Sequence, residues 1–335
     1  MELGVSYFSR ARLKHIEYDI KEIKKIGSSF IIHTLSENDI LYYRETVRRA
    51  VNFSREHKLG IWIDPWGVGG IFGGETASWF TLKNIKSRQI SSKGEILPAS
   101  CINNDHFRDF MKKWLDDAID LGADVIFWDE PDFFRFEYGN DYNVNWSCRC
   151  SACQELFKNA YKKEMPLILD REVKEFRQNS IKNFLEEMCG YVKNKNKNIK
   201  NAICFLPFEF PIVSIYDWRD VAGIKHLDII GTDPYWSILK KNLNEFITKS
   251  TAKIKNIAND TGQETQIWIQ NFFIKKETEK EIKKAIDIIA KMGIDYISAW
   301  SYFGADEMSY LRSDNPSKVW KVLSQCYTKL GKSSL

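Results

Sequence analysis

The sequence has no apolar run that approaches the ~20 residues a helix needs to cross a bilayer. Residues 3–8 already resemble a strand, and no basic and apolar leader precedes them, so we expect no secretory signal. The formal net charge is only +4 over 335 residues, and the lysines are spread over helical faces and the 193–200 loop. Such a distribution is typical of a solvated surface. We therefore expect neither a membrane nor a nucleic acid as a partner.

Cysteine is also too sparse for a disulfide framework. The chain has seven cysteines, an odd number, and three of them (Cys189, Cys204 and Cys326) stand alone in the sequence. Together with the missing leader, this count predicts a reducing, cytoplasmic setting.

The glycine motifs of nucleotide-binding proteins are missing as well. The turn after the first predicted strand, residues 7–10, carries no dinucleotide-binding fingerprint. Residues 67–74 are rich in glycine but lack the Gly-Lys-Ser/Thr ending and the helix start of a phosphate loop. We interpret this run as a flexible rim of an active site.

What the sequence does contain is a regular alternation of short apolar runs and amphipathic segments. The runs predict eight strands, at residues 4–8, 29–34, 60–64, 124–128, 201–206, 228–232, 266–270 and 296–300. Helical periodicity predicts helices at residues 13–26, 38–57, 106–121, 172–192, 239–259, 277–292 and 316–330. Eight such units predict an α/β fold, one (β/α)8 TIM barrel over residues 1–335. An open doubly wound sheet is the alternative, which the missing fingerprint disfavours.

Two predicted connections are unusually long. Residues 65–104 follow the third strand, and residues 131–171 follow the fourth. Loops of this length inside a compact domain are usually lids or cofactor elements.

In a barrel the carboxyl ends of all strands meet at one pocket, so the residues at those ends are the candidates for chemistry. They are His33, Asp64, Trp66, Trp128, Asp129, Glu130, Glu209, Asp233, Tyr235, Trp236, Gln270, Asn271 and Trp300. Carboxylates and amides bond hydroxyl groups, and flat aromatic faces stack on sugar rings. The set predicts a carbohydrate site, although His33 fits a structural role equally well. Trp62 and Trp268 lie inside their strands, and we expect them to fill the core.

The pair Asp129-Glu130 ends the fourth strand, and Pro131 follows it. Glycosidic cleavage needs an acid to protonate the leaving oxygen and a second group on the other face of the sugar. Glu130 is the candidate acid. Asp129 could supply the second group by holding a substrate 2-acetamido group, and Asp233 could supply it as nucleophile or base.

Three of the remaining cysteines are tightly spaced, at Cys148, Cys150 and Cys153, and Cys101 lies in the other long loop. Four thiolates can close a tetrahedral structural Zn2+ site and so pin the two loops together. Free cysteines are the alternative.

This layout resembles that of the family-42 β-galactosidases, which are glycoside hydrolase TIM barrels. In that family a cysteine before strand 4 and a Cys-x-Cys-x-x-Cys run after the acid/base glutamate bind zinc, which implies the same roles for Cys101, the cysteine run and Glu130. Two positions depart from the family: Asp129 stands where the family has Asn, and Gln270 stands near the family's nucleophilic glutamate. Gln270 cannot act as a carboxylate nucleophile.

The Asp129-Glu130-Pro131 sequence is similar instead to hexosaminidases that use the substrate acetamide. That resemblance implies that Asp129 orients the acetamide while Glu130 acts as acid and then base. The sequence thus predicts a zinc-stabilised glycosidase acting on a carbohydrate. A carbohydrate-binding barrel without hydrolysis is the alternative that Gln270 favours, and a homo-oligomer is left open. A lyase or aldolase lacks support, because no lysine lies at a strand end.

Overall fold

The computed structural model describes residues 1–8, 12–136, 141–208, 211 and 213–333. Its ten strands are β1 (Glu2–Tyr7), β2 (Phe30–Thr34), β3 (Gly60–Asp64), β4 (Arg88–Ile90), β5 (Ile96–Ser100), β6 (Val125–Asp129), β7 (Lys200–Phe205), β8 (Ile229–Thr232), β9 (Glu264–Gln270) and β10 (Tyr296–Trp300). Eight of them form a closed parallel barrel in the order β1-β10-β9-β8-β7-β6-β3-β2. Each coincides with a predicted strand, so the predicted (β/α)8 barrel is confirmed.

Helices follow the barrel strands and cover the outside of the barrel. They are α1 (Leu13–Lys25), α2 (Glu37–Tyr42), α3 (Arg44–Glu56), α4 (Trp79–Lys83), α5 (Asp105–Asp120), α6 (Ser151–Tyr161), α7 (Arg171–Lys195), α8 (Trp218–Ala222), α9 (Leu243–Thr261), α10 (Lys280–Lys291) and α11 (Pro316–Ser333). None of the described helices is long and apolar enough to span a membrane.

The prediction of one continuous helix over residues 38–57 is wrong. Residues 38–57 form two helices, because Tyr43 leaves the helical conformation at φ −126° and ψ 15°. Ser36 caps α2 in a capping box with Asp39, so this helix begins independently of α3. The apolar period of the sequence continues across the break and does not reveal it.

The core has two layers. Inside the barrel, aromatic and small side chains pack together, among them Phe30, Trp62, Phe127, Cys204 and Trp268. Trp62 stacks on Phe30 with ring centroids 4.7 Å apart, which confirms its predicted place in the core. The larger layer lies between the strands and the surrounding helices. Alternate residues of each strand therefore face the barrel interior and the helices.

The two long connections carry structure of their own and pack on each other. Residues 65–104 contain α4 and the antiparallel pair β4–β5, and residues 131–171 contain α6. Arg149 N donates to the Ile90 carbonyl at 2.7 Å, and the Gln89 side chain accepts from Phe134 N at 2.9 Å. Since these loops follow β3 and β6, they form one wall above the carboxyl ends of the strands.

Candidate active site

A cavity of about 310 Å³ opens at the carboxyl ends of the barrel strands. Its lining includes five acidic side chains, Asp64, Glu75, Asp129, Glu130 and Asp233, and one basic side chain, Arg135. Its size lies at the lower end of the ~300–1,000 Å³ found for small-molecule sites. The place and the lining are those expected of a barrel active site.

The alternation of β6 decides which of its last residues reach the cavity. Phe127 and Asp129 line the cavity, whereas Trp128 between them packs in the outer core layer. Glu130 follows with a positive φ of 45°, a conformation that is costly for a residue with a side chain. Such strain is found mainly where the surrounding structure fixes a functional group.

Glu130 contacts groups of both charges. Its Oε2 lies 3.5 Å from an Nη atom of Arg135, and its carboxyl group lies near that of Asp233, whose pKa is raised by burial and by the charge of Glu130. The negative charge of Glu130 thus favours the protonated form of Asp233. The geometry therefore provides Glu130 with a neighbour that can share a proton.

Burial and mutual repulsion govern the ionisation of the other acidic groups. Burial raises the pKa of Asp64, Asp129 and Asp233 well above the usual range, and the charge of Glu130 raises each of them further. Arg135 partly opposes the rise in the pKa of Asp129. These carboxyl groups thus keep protons at a pH where exposed aspartates are ionised.

The glycine-rich run after β3 covers this acidic wall. Gly73 N donates to the Asp129 carbonyl at 3.0 Å, and a Cβ at Gly73 would collide with the Asp129 carboxylate. Gly73 and Gly74 both line the cavity, and Glu75 beside them accepts a hydrogen bond from Ser309 at 2.6 Å. The run thus lines the cavity, as an active-site rim should.

Part of the cavity wall is aromatic. Trp66 and Trp300 stack with centroids 5.9 Å apart, and Phe8 stacks on both at 5.3 and 5.5 Å. Phe272 meets Trp300 edge-on at 4.3 Å. Rigid rings of this kind offer a flat apolar face to a ligand.

The four clustered cysteines lie where the two long loops meet. The Sγ atom of Cys101 lies 3.4 Å from that of Cys153 and 3.5 Å from that of Cys150, and the ligand atoms of all four cysteines lie within 4.8 Å of one another. Tetrahedral zinc with Zn–S bonds of ~2.3 Å separates its sulfurs by about 3.8 Å. The buried cluster could therefore hold a metal ion.

Polar groups around the cysteines suit thiolates. Asn103 donates to Cys153 Sγ at 3.3 Å, and the amide N of Ile90 donates to Cys148 Sγ at 3.5 Å. The buried guanidinium of Arg177 interacts electrostatically with Cys148, Cys153 and Asp132. A buried cation needs compensating negative charge, which a tetrathiolate metal centre would supply.

Comparisons with known proteins establish the fold. No protein family matches the sequence, and no curated protein matches it either. Among solved structures, the chain is similar to a β-galactosidase from Halorubrum lacusprofundi (11% identity, TM-score 0.74, 98% of this chain and 57% of that one). It is also similar to a GH42 β-galactosidase from G. stearothermophilus (14%, 0.74, 99% and 57%) and an endo-β-1,4-mannanase from Thermotoga petrophila (12%, 0.67, 99% and 77%). The chain shares its barrel fold with these glycoside hydrolases and spans less than two thirds of the length of the β-galactosidases.

Seven of the predicted site residues meet at the cavity. They are Asp64, Trp66, Asp129, Glu130, Asp233, Tyr235 and Trp300. Glu209 lies outside the described residues. The strand ends therefore identified four of the five acidic residues that line the cavity and two of the four aromatic residues described above.

Five predicted substrate contacts are not found in the cavity lining, because each side chain is bonded elsewhere. His33 Nε2 lies 3.0 Å from Ser54 Oγ on α3, and Trp128 Nε1 donates to Asn201 at 3.2 Å. Both sit on the outward face of their strands. Trp236 Nε1 donates to Glu281 on α10 at 2.9 Å.

The two amide side chains at the end of β9, those of Gln270 and Asn271, form hydrogen bonds with backbone groups. Gln270 accepts from Ser237 N at 2.9 Å and donates to the Phe272 carbonyl at 3.0 Å, and Asn271 donates to the Ser301 carbonyl at 2.8 Å. They hold the loops after β8, β9 and β10 in place and do not line the cavity.

Three further residues that line the cavity are not indicated by the ends of the strands. Arg135 and Glu75 lie within the long loops, where position along the chain gives no sign of what faces the cavity. Trp268, which the sequence places in the core, both packs there and lines the cavity. Its indole Nε1 is buried without a hydrogen-bond partner among the described residues. Counting inward-facing positions back from the end of β9 could have found it.

Proposed function

We propose that this protein is a glycoside hydrolase in which Glu130 is the general acid/base. The observation that carries the proposal is the placement of Glu130 at the barrel mouth, against Asp233 and Arg135, in a cavity with an aromatic wall. An aromatic wall can stack on a sugar ring while carboxyl groups bond its hydroxyls.

In the proposed reaction the Glu130 carboxyl donates its proton to the glycosidic oxygen as the bond from that oxygen to the anomeric carbon breaks. Water then supplies the new oxygen at the anomeric carbon, and its proton returns to a carboxylate. Burial and the charge of Glu130 raise the pKa of the neighbouring Asp233, which therefore keeps a proton close to Glu130. Arg135 balances the charge that Glu130 acquires after donating.

Two carboxylates are candidates for the second catalytic group. A retaining pair stands about 5–5.5 Å apart with the sugar between the two groups, whereas the carboxyl groups of Asp233 and Glu130 are close neighbours that interact with each other. Asp129 is therefore the first candidate, either through a substrate acetamido group or directly. Asp233 is the second candidate and would have to separate from Glu130 when substrate enters.

We propose that Cys101, Cys148, Cys150 and Cys153 hold a structural Zn2+ ion. All four ligands are protein thiols, which leaves no open position for catalysis. The ion would tie the loop carrying Cys101 to the loop that follows Glu130. Reduced ligand thiols are consistent with a cytoplasmic location, and we propose residues 1–335 as one catalytic domain.

Hydrolysis of an aryl-glycoside panel tests the function. The panel contains plain hexosides and 2-acetamido hexosides, and Glu130→Gln is compared with the wild type and with Glu45→Gln, an exposed glutamate on α3. We expect turnover that Glu45→Gln retains and Glu130→Gln loses. Full activity of Glu130→Gln on an unactivated substrate would reject the assignment.

A carbohydrate-binding barrel without hydrolysis is the second candidate. Gln270 favours it, because this amide is locked into backbone hydrogen bonds and β9 offers no carboxylate to the cavity. Saturable sugar binding without turnover on any member of the panel would select it.

A further inference from the structure

We propose that the cavity selects a glycoside whose sugar carries a free, positively charged amino group. This inference rests on the proposed glycosidase function and names its substrate class. It comes from the chemistry of the cavity lining, which is unusual for a site that would bind a neutral sugar.

The polar lining is almost entirely acidic. Five carboxyl side chains face the cavity against the single guanidinium of Arg135. Among the described lining residues there is no Lys, His, Asn, Gln, Ser or Thr. A site for a neutral sugar uses donors as well as acceptors, since each hydroxyl group can both give and take a hydrogen bond. Apart from Arg135, the Tyr235 hydroxyl and indole N–H groups, the polar groups of this lining are carboxyls. Once ionised around a cation, these carboxyls only accept hydrogen bonds, and an ammonium group is a donor in all three of its N–H bonds.

The remaining lining strengthens this preference. Trp66, Trp268 and Trp300 present ring faces or edges to the same space. Aromatic rings attract a cation through the negative face of the ring, and carboxylates beside them add direct charge attraction. Aromatic rings combined with acidic groups are the usual means of recognising an ammonium group.

Unpartnered buried atoms show that the wall is built to meet a ligand. Asp64 Oδ1 and Asp233 Oδ1 are buried and have no hydrogen-bond partner among the described residues, although both side chains line the cavity. Buried polar atoms normally find partners, and an unfilled acceptor costs free energy. An ammonium group could donate to these oxygens.

The ionisation of the acidic side chains also favours a cationic ligand. Burial raises the pKa of Asp64, Asp129 and Asp233, and repulsion from Glu130 adds to the rise. A bound cation would offset this repulsion and let the carboxyl groups ionise. A neutral sugar gives no such compensation.

A free amine also constrains the mechanism. It has no acetamide oxygen to attack the anomeric carbon, so Asp129 or Asp233 would act directly as nucleophile or base. Substrate assistance is therefore a competing outcome that the experiment must distinguish.

The experiment compares aryl glycosides that differ only at carbon 2, with an ammonium, acetamido or hydroxyl group, in both the gluco and the galacto series. We expect kcat/KM for the ammonium substrate to exceed the others at least about tenfold, since one desolvated cation–π contact is worth roughly that factor. Asp64→Asn and Glu75→Gln should reduce this ratio, and Glu45→Gln should leave it unchanged. Glu75 lies on an exposed loop, so its variant remains informative if Asp64→Asn does not fold.

Equal or faster turnover of the acetamido or hydroxyl substrates would overturn the inference and leave the glycosidase function standing. Absence of turnover on every substrate would count against the function instead. In that case, calorimetric titration with glucosamine, galactosamine and their N-acetyl forms decides the inference. Preferential binding of the free amines would uphold it, and equal or absent binding would overturn it.

Discussion

At the scale of single residues, the site depends on where each carboxyl group is placed. Asp64 ends β3, Asp129 ends β6 and Asp233 directly follows β8, so three separate strands deliver acids to one cavity. A single exposed aspartate would have an ordinary pKa. Together, and buried, they have pKa values above the usual range, as groups at functional sites often do.

Asp64 should make the stability of the protein fall as pH rises. Its pKa is raised in the folded state above 3.8, so its contribution is fully present below about pH 3.8 and is lost as pH rises through the folded value. Asp64→Asn lacks this loss and should gain stability relative to the wild type between about pH 5 and pH 8. The gain in the free energy of unfolding should be about 1.4 kcal/mol for each pH unit of that window that lies below the folded pKa of Asp64. Urea unfolding at both pH values measures it, with exposed Asp109→Asn as the control. An equal change in the free energy of unfolding between the two pH values for the wild type and for Asp64→Asn would contradict this prediction.

Trp268 gives a second test at this scale. Trp268→Phe keeps an aromatic ring in the cavity wall and removes the unpartnered indole N–H. If that N–H bonds the substrate, KM should rise roughly two- to tenfold, as expected for one hydrogen bond. Trp62→Phe is the matched control, because Trp62 is also buried in the barrel interior but does not line the cavity. An equal change in both variants would point to packing instead.

At the scale of elements, the sequence predicted the barrel well and the loops poorly. Every barrel strand contains a short apolar stretch, and such stretches are visible without any partner strand. By contrast, α4, α8 and the β4–β5 pair are only three to five residues long and carry no clear period.

The candidate site was predictable to the same extent. Strand ends correctly indicated Asp64, Asp129, Glu130 and Asp233 as cavity residues. His33 and Trp128 also lie near strand ends but do not line the cavity. The position of a residue near a strand end does not reveal whether it faces the barrel interior or the helices. That orientation is fixed by the register with neighbouring strands, which only the fold provides.

The glycine-rich loop after β3 provides the prediction for this scale. Gly73→Ala would place a methyl group against the Asp129 carboxylate, so the loop or the carboxylate must move. We expect kcat/KM to fall by about tenfold or more, since small misplacements at reacting groups are costly. Gly190→Ala on α7 is the control, because a Cβ there meets nothing within 4 Å. Unchanged activity of Gly73→Ala would show that the loop does not position Asp129.

At the scale of the whole molecule, the cysteine cluster connects the two long loops to the barrel. Arg177 on α7 interacts electrostatically both with this cluster and with Asp132, which lies two residues after Glu130. Metal binding should therefore stabilise the wall that carries the proposed acid.

Metal removal tests this connection. We expect about one Zn2+ per chain in elemental analysis, and chelation or Cys153→Ser should lower Tm by ~5 °C or more. The loops at residues 65–104 and 131–171 should then become the first sites of proteolysis. Cys326→Ser on α11, far from the cluster in the sequence and in no metal group, is the control. A metal-free protein with an unchanged Tm would contradict the zinc proposal.

The most direct test of the central claim is the leaving-group dependence of Glu130→Gln. A general acid matters when the leaving oxygen is basic and hardly matters when it departs unaided. We expect a loss of on the order of 10² or more in kcat/KM for an alkyl glycoside and a much smaller loss for a dinitrophenyl glycoside of the same sugar. Equal losses on both substrates, or no loss on either, would contradict the role of Glu130 as the general acid.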